Sequence, residues 1–199
     1  MGIVYRAYDP VTRRYVALKT MRGVIDTVAL ELFHKEWTVL SRINHPNIVD
    51  IFDTGEFEQS GQRKPFFVMP FLSGRAFDFL IKNETQRLTV ERVIEIMVQT
   101  CRGLHAAHEN GLIHRDVKPS NIFVMDDDTV KVIDFGVAHL AGADTVTGIK
   151  GTLQYMSPEQ LEMKPTTPAS DIFSLAVVCY EALTGRKPFA RRTDTETVE

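Results

Sequence analysis

His114-Arg115-Asp116-Val117-Lys118-Pro119-Ser120-Asn121 is the stretch on which the reading turns. It comes after a segment of helical period and precedes two β-prone runs, Ile122-Phe123-Val124 and Val130-Lys131-Val132-Ile133, that read as a hairpin around Asp126-Asp127-Asp128. A carboxylate, an ammonium two residues on and an amide five residues on therefore share one loop between a helix and a hairpin. Asp134-Phe135-Gly136 adds a second carboxylate where the hairpin ends. Far upstream, Val16-Ala17-Leu18-Lys19 sets a lysine on a β-prone run, and Glu36 lies on the helix expected next. Singly these are ordinary: an Asp after a strand is usually a turn or cap residue, and a Lys–Glu pair usually lies in solvent. Their order, on these elements, is not.

Working outward, Ile3-Val4-Tyr5-Arg6-Ala7-Tyr8 reads as a strand leading through Asp9-Pro10 into a strand at 15–19. Residues 28–43 carry Val28, Leu32, Val39, Leu40 and Ile43 at near-helical spacing, and His45-Pro46 closes that helix. Ile48-Val49-Asp50-Ile51-Phe52 and Phe66-Phe67-Val68-Met69 read as two further strands, with Gly61-Gln62-Arg63-Lys64 as the turn region between them. Thr89 caps a long helix whose apolar face runs through Val93, Ile96, Met97 and Leu104 and which fades at Asn110-Gly111. A Gly- and Thr-rich loop at 142–151 precedes a last apolar helix at 169–183. Strands first and helices second give an α+β class with two lobes sharing a cleft.

The chain has 199 residues, 44% hydrophobic and 25% charged, the balance of an ordinary globular protein. Its net charge of −3 offers no broad basic surface, so no nucleic-acid partner is expected. Cys101 and Cys179 lie in helix-like apolar stretches and are expected as reduced core thiols rather than a disulfide. No signal peptide is read at the first residues. The longest apolar run, 172–183, is broken by Ser174 and Glu181 and is too short for a bilayer, so no membrane segment is expected in this stretch. The expected compartment is the cytoplasm, whether or not a longer parent protein carries an anchor.

With these residues in view, the chain resembles the bacterial branch of eukaryotic-like (Hanks-type) serine/threonine protein kinases, and the resemblance runs through essentially every residue. Gly151-Thr152-Leu153-Gln154-Tyr155-Met156-Ser157-Pro158-Glu159 is similar to the family's peptide-docking loop, with Ser157 where alanine is common. Asp171 is similar to the buried aspartate that braces the catalytic loop. Thr184-Gly185-Arg186-Lys187-Pro188-Phe189 resembles the loop after that helix. The resemblance implies a small antiparallel-sheet N-lobe with one helix over 1–71 and a mostly helical C-lobe over 72–199. Gly2-Ile3-Val4 resembles the end of a Gly-rich loop, and the expectation is a catalytic domain cut short at both ends.

Phosphoryl transfer needs a cation on the nucleotide phosphates, oxygens for magnesium and a group to orient the attacking hydroxyl. By the resemblance, the substrates are ATP and proteins and the metal is Mg²⁺. Catalytic roles fall to Asp116 on the hydroxyl, Lys118 on the transferring phosphate, Lys19 on the nucleotide phosphates and Glu36 as partner of Lys19. Asn121 and Asp134 would hold the metal. Gly2, Val4, Ala17, Met69, Pro70, Leu72 and Phe123 would line the nucleotide site, Met69 as gatekeeper and 70–72 as hinge. Pro70 lacks an N–H but keeps the carbonyl that adenine contacts use. Lys118 argues for serine/threonine over tyrosine, and Thr152 is similar to the threonine that bonds Asp116 and Lys118. Autophosphorylation at Thr147, Thr145 or both, between two copies in a homodimer, is implied too, with Arg115 to meet the phosphate. A non-catalytic nucleotide-binding or scaffold role is the alternative, and a small-molecule phosphotransferase is disfavoured by the docking segment.

Overall fold

Two sheets organise the computed structural model, which describes residues 2–21, 37–59, 61–135 and 153–189. The first is antiparallel with four strands, β1 Gly2–Asp9, β2 Arg14–Met21, β3 Asp53–Gln59 and β4 Gln62–Pro70, in the order β1-β2-β4-β3. The second is β5 Gly74–Ala76, β6 Ile122–Met125 and β7 Val130–Val132, in sequence order. Residues 37–40 are helical, and the later helices are α1 Phe77–Asn83, α2 Val90–Glu109, α3 Pro158–Leu161 and α4 Pro168–Thr184. This is the expected α+β arrangement, a sheet followed by a mostly helical part. Of the helix expected at 28–43, residues 28–36 lie outside the described residues.

The β1–β2 turn forms as read, for a local reason. The Asp9 carboxylate accepts the Val11 N–H at 2.9 Å and the Thr12 hydroxyl at 2.5 Å, so one side chain satisfies the turn. The turn between β3 and β4 is shorter than expected. Gln62, Arg63 and Lys64 belong to β4, Gln59 pairs with Gln62, and Gly61 takes a φ of 73°.

The strand expected at 48–52 is a correction. Only Ile48 makes a β-bridge, a parallel one to Val132, and β3 starts at Asp53. The apolar run is there because it is buried in the core, not because it is laddered: Ile48 and Val49 are 1% and 2% exposed. Val49 N–H donates to the Val132 carbonyl, Val132 N–H to the Asn47 carbonyl, and Asn47 Nδ2 to the Val130 carbonyl. The segment is thus sewn to β7. It can lie close on α2 only because residue 103 is glycine, where an added Cβ would stand 2.6 Å from the Asn47 carbonyl oxygen.

Helix α2 begins as read, Thr89 Oγ1 accepting the Arg92 N–H at 3.2 Å, and ends at Asn110. It buries Val93, Ile96, Met97, Thr100, Leu104 and Ala107 on one face. α4 starts with Pro168 behind Thr167 and stops at Gly185, whose φ of 68° makes the left-handed cap. The larger core joins α1, α2, α4 and the second sheet to Leu40, Ile43 and Ile48, and a smaller one gathers Ala17, Val49 and Met69. Both cysteines are free, but Cys101 is exposed, and only the half-buried Cys179 packs against the core. Among the described residues, no helix is long and apolar enough to cross a membrane.

Candidate active site

The chain leaves α2 through Gly111 and enters a loop whose polar groups are nearly all spoken for. His114 is fully buried and lies 4.6 Å, ring to ring, from Phe135. Its Nδ1 accepts the Asp116 N–H at 3.2 Å, and its Nε2 donates to the Ile133 carbonyl at 3.0 Å. That pattern requires the neutral ring. Burial accordingly pushes its pKa below the ordinary value, against the pull of nearby Asp171. Asp171, on the first turn of α4 and 1% exposed, accepts the Arg115 N–H on Oδ1 and the His114 N–H on Oδ2, both at 2.8 Å. Its Oδ2 also meets His108 Nε2 at 2.7 Å. This is the bracing expected of Asp171. Arg115 is held with a φ of 63°, in the left-handed region that non-glycine residues seldom occupy.

Asp116, Lys118 and Asn121 come together at the end of this loop. Asp116 Oδ2 accepts Lys118 Nζ at 2.7 Å and Asn121 Nδ2 at 3.0 Å, and the same amide nitrogen reaches the Asp116 carbonyl at 2.8 Å. Asp116 Oδ1 is buried and has no hydrogen-bond partner among the described residues. Asn121 closes a 3₁₀ turn, Pro119–Asn121, and its carbonyl accepts the Ile133 N–H, which ties the loop to the segment carrying Asp134. With its N–H groups turned to Asp116, Asn121 keeps its amide oxygen as an acceptor, 3.4 Å from Ser120 Oγ.

Lys19 and Asp134 form the second group. Asp134, with a φ of 58°, pairs its carboxylate with Lys19 Nζ, joining β2 to the residues after β7. Lys19 Nζ also lies 5.7 Å from the centre of the Phe67 ring. Glu36, the partner expected for Lys19, lies outside the described residues, as do Gly136, Thr145, Thr147 and Thr152. One carboxylate and one amide oxygen, Asp134 and Asn121, suit Mg²⁺, which draws its remaining oxygens from phosphate and water.

The register places the expected nucleotide walls. Val4 pairs with Lys19, and Ala17 with Met69, so all four project from one face of the first sheet. Ala17 and Met69 are buried with Val49, Leu72 packs beside them, and Val4 is exposed. Gly2 opens β1 opposite Met21, and Pro70 closes β4 opposite Val16. Phe123 stands half-buried on the second sheet, paired with Ala76 and Lys131.

The segment expected to dock peptides is described from residue 153 and is held at Tyr155 and Glu159. Tyr155 donates its hydroxyl to Glu181 Oε2 at 2.5 Å, and burial beside that carboxylate pushes the phenol well above its ordinary range. Glu159 accepts the Ser170 hydroxyl. Two residues of the network do not stand out in the sequence reading. His108 gives no signal there beyond standing six residues before His114. Gln160 does leave one: Ser157 with Gln160 three residues on is a capping-box pattern.

Comparison with known proteins agrees with this geometry. A family model described as protein kinase domain matches residues 1–199. The serine/threonine-protein kinase PknA of Mycobacterium tuberculosis is 39% identical over 196 residues, 96% of this chain and 45% of PknA. PknB of Mycobacterium leprae, a serine/threonine-protein kinase, is 38% identical over 95% of this chain and 31% of its own length. A probable serine/threonine-protein kinase of Clostridium acetobutylicum is 35% identical over 94% of this chain and 29% of its own length. The chain thus spans less than half the length of these curated relatives. A catalytic-type loop braced by Asp171, Lys19 paired with Asp134, and a family match from first residue to last make one statement: the chain belongs to the protein kinase domain family.

Proposed function

We propose that this chain transfers the γ-phosphoryl group of ATP to serine and threonine hydroxyls of proteins. The observation that carries the reading is the division of labour on Asp116: one carboxylate oxygen is held by Lys118 and Asn121, the other is buried and has no partner among the described residues. A buried acceptor without a donor is costly, and a substrate hydroxyl is a donor that fits it. The hydroxyl oxygen would attack the γ-phosphorus, its proton would pass to Asp116 Oδ1, and ADP would leave. Lys118, beside Asp116, compensates charge on the transferring group, and Lys19 does so on the phosphates that stay with the nucleotide. Mg²⁺, held through Asp134 and Asn121, would neutralise phosphate charge. Gly2, Val4, Ala17, Met69, Pro70, Leu72 and Phe123 take the nucleotide, with Glu36 steadying Lys19.

The division into lobes near 71 and 72, cytoplasmic work in bacterial signalling, and activation by autophosphorylation at Thr147, Thr145 or both between paired copies belong to the same proposal. Its test is Asp116→Asn. Transfer to a generic protein substrate should fall about 10²- to 10⁴-fold, while calorimetry finds nucleotide affinity unchanged. Near wild-type turnover in that variant would overturn the reading.

A further inference from the structure

Gln160 makes two kinds of contact at once. Its Oε1 accepts the Ser157 N–H at 3.1 Å and lies 3.3 Å from Ser157 Oγ, closing the cap of α3. Its Nε2 donates to the carbonyl of Arg115 at 2.8 Å. The amide can face only one way: an oxygen must meet the N–H and a nitrogen must meet the carbonyl.

The Arg115 carbonyl belongs to the peptide plane that leads into Asp116, and that plane has two polar ends. The oxygen goes to Gln160, and the N–H goes to His114 Nδ1. One residue earlier, the Arg115 N–H is fixed by Asp171 Oδ1, and Arg115 Nε reaches Thr166 Oγ1 at 3.1 Å. Arg115 sits at a φ of 63°, a conformation that persists only where its surroundings impose it. Gln160 holds the carbonyl end of this residue from the side of α3, which follows the turn Leu153–Tyr155.

We infer that Gln160 is a positioning residue: it fixes the 115–116 peptide plane, and through it the carboxylate of Asp116, to the segment that docks the substrate. The inference rests on the proposed kinase activity. If Gln160 served α3 alone, only its acceptor oxygen would matter, and glutamate is as good an acceptor there as glutamine. Gln160→Glu therefore separates the two roles. It keeps the cap, removes the donor and sets a carboxylate against the Arg115 carbonyl.

The experiment is steady-state kinetics of wild type, Gln160→Glu and Gln160→Leu from pH 5.5 to 8.5, with thermal melts alongside. A misplacement of about an ångström costs on the order of a hundredfold in rate. At pH 8, Gln160→Glu should lose about 10- to 100-fold in kcat with the KM for ATP unchanged and the protein still folded at the assay temperature, its melting point only modestly lowered. Its kcat relative to wild type should rise as pH falls, because the protonated acid can again donate to the Arg115 carbonyl. Gln160→Leu should stay low relative to wild type at every pH. Wild-type kcat in Gln160→Glu at pH 8, or a loss matched by loss of folded protein, would overturn the inference alone. A wild-type protein without transfer activity would overturn the functional reading, and this with it.

Discussion

Asp116 and Lys19, proposed to act on the hydroxyl and on the phosphates, are held in opposite ways. Around Asp116, the backbone N–H groups of residues 114, 115 and 116 and the carbonyls of 115 and 116 all bond to side chains, from His114, Asn121, Gln160 and Asp171. Among the described residues, Lys19 rests on one ion pair to Asp134, in which the two side chains are 18% and 31% exposed. The proposed hydroxyl side is thus built by buried hydrogen bonds already present in the fold. The proposed phosphate side is a part-exposed charge pair, in which phosphate oxygens and a metal would take over the partners. Preorganisation belongs where a proton must move, and adaptable charge where a large anion must enter and leave.

That contrast sets the largest expected effect. Asp171→Ala leaves two interior backbone N–H groups and His108 without their acceptor, and should cost about 3–5 kcal/mol of unfolding free energy in a urea titration. Lys19→Met should cost no more than about 1 kcal/mol, because a part-exposed pair is screened by water, while abolishing transfer. Equal destabilisation by the two would break the comparison.

A proton titration sharpens it next. His114 is neutral in the fold, and its burial holds its pKa below the ordinary 6.5. Below pH 6.5, down to the lowered folded value, the unfolded chain binds a proton that the native state refuses. Stability should therefore fall as pH is lowered through that window and recover above it. His45, lowered by burial and by the nearby charges of Lys131 and Arg102, acts with the same sign. Protonating His114 also removes the acceptor of the Asp116 N–H, so the cost falls on the clamped side. Melting points from pH 5 to 7.5 should rise with pH in the wild type, and with a shallower slope in His114→Gln. Equal slopes would show that His114 has no part in the titration.

The two sides also differ in how far sequence reaches. The loop 114–121, the hairpin after it and the Thr89 cap are legible because each rests on local spacing or on a motif, and the brace at Asp171 only through the family resemblance. The strand placed at 48–52 is not, since a short apolar run reads alike whether it ladders into a sheet or packs against a helix. The edge strand that does form there, β3, has the polar sequence Asp53-Thr54-Gly55-Glu56-Phe57-Glu58-Gln59, tolerable because only one side of it is paired. His108 and Gln160 escape for another reason. Their partners lie 63 and 45 residues away in sequence, and no local pattern encodes a contact of that range.

The smallest expected effect is the one that keeps rigidity and stability apart. Thr89 caps α2 at the end opposite His108, and its hydroxyl accepts the backbone N–H of Arg92. Thr89→Ala should lower the unfolding free energy by about 1 kcal/mol, the usual cost of a lost cap. The cap lies at the far end of α2 from the 115–116 peptide plane, so kcat measured well below the melting point should be unchanged. Gln160→Glu is expected to do the reverse, lowering kcat far more than its modest loss of stability accounts for. If Thr89→Ala instead slowed turnover in proportion to its loss of stability, the clamps around Asp116 would be no more than part of the general stability of the fold. The difference between the hydroxyl side and the phosphate side would then have no bearing on catalysis.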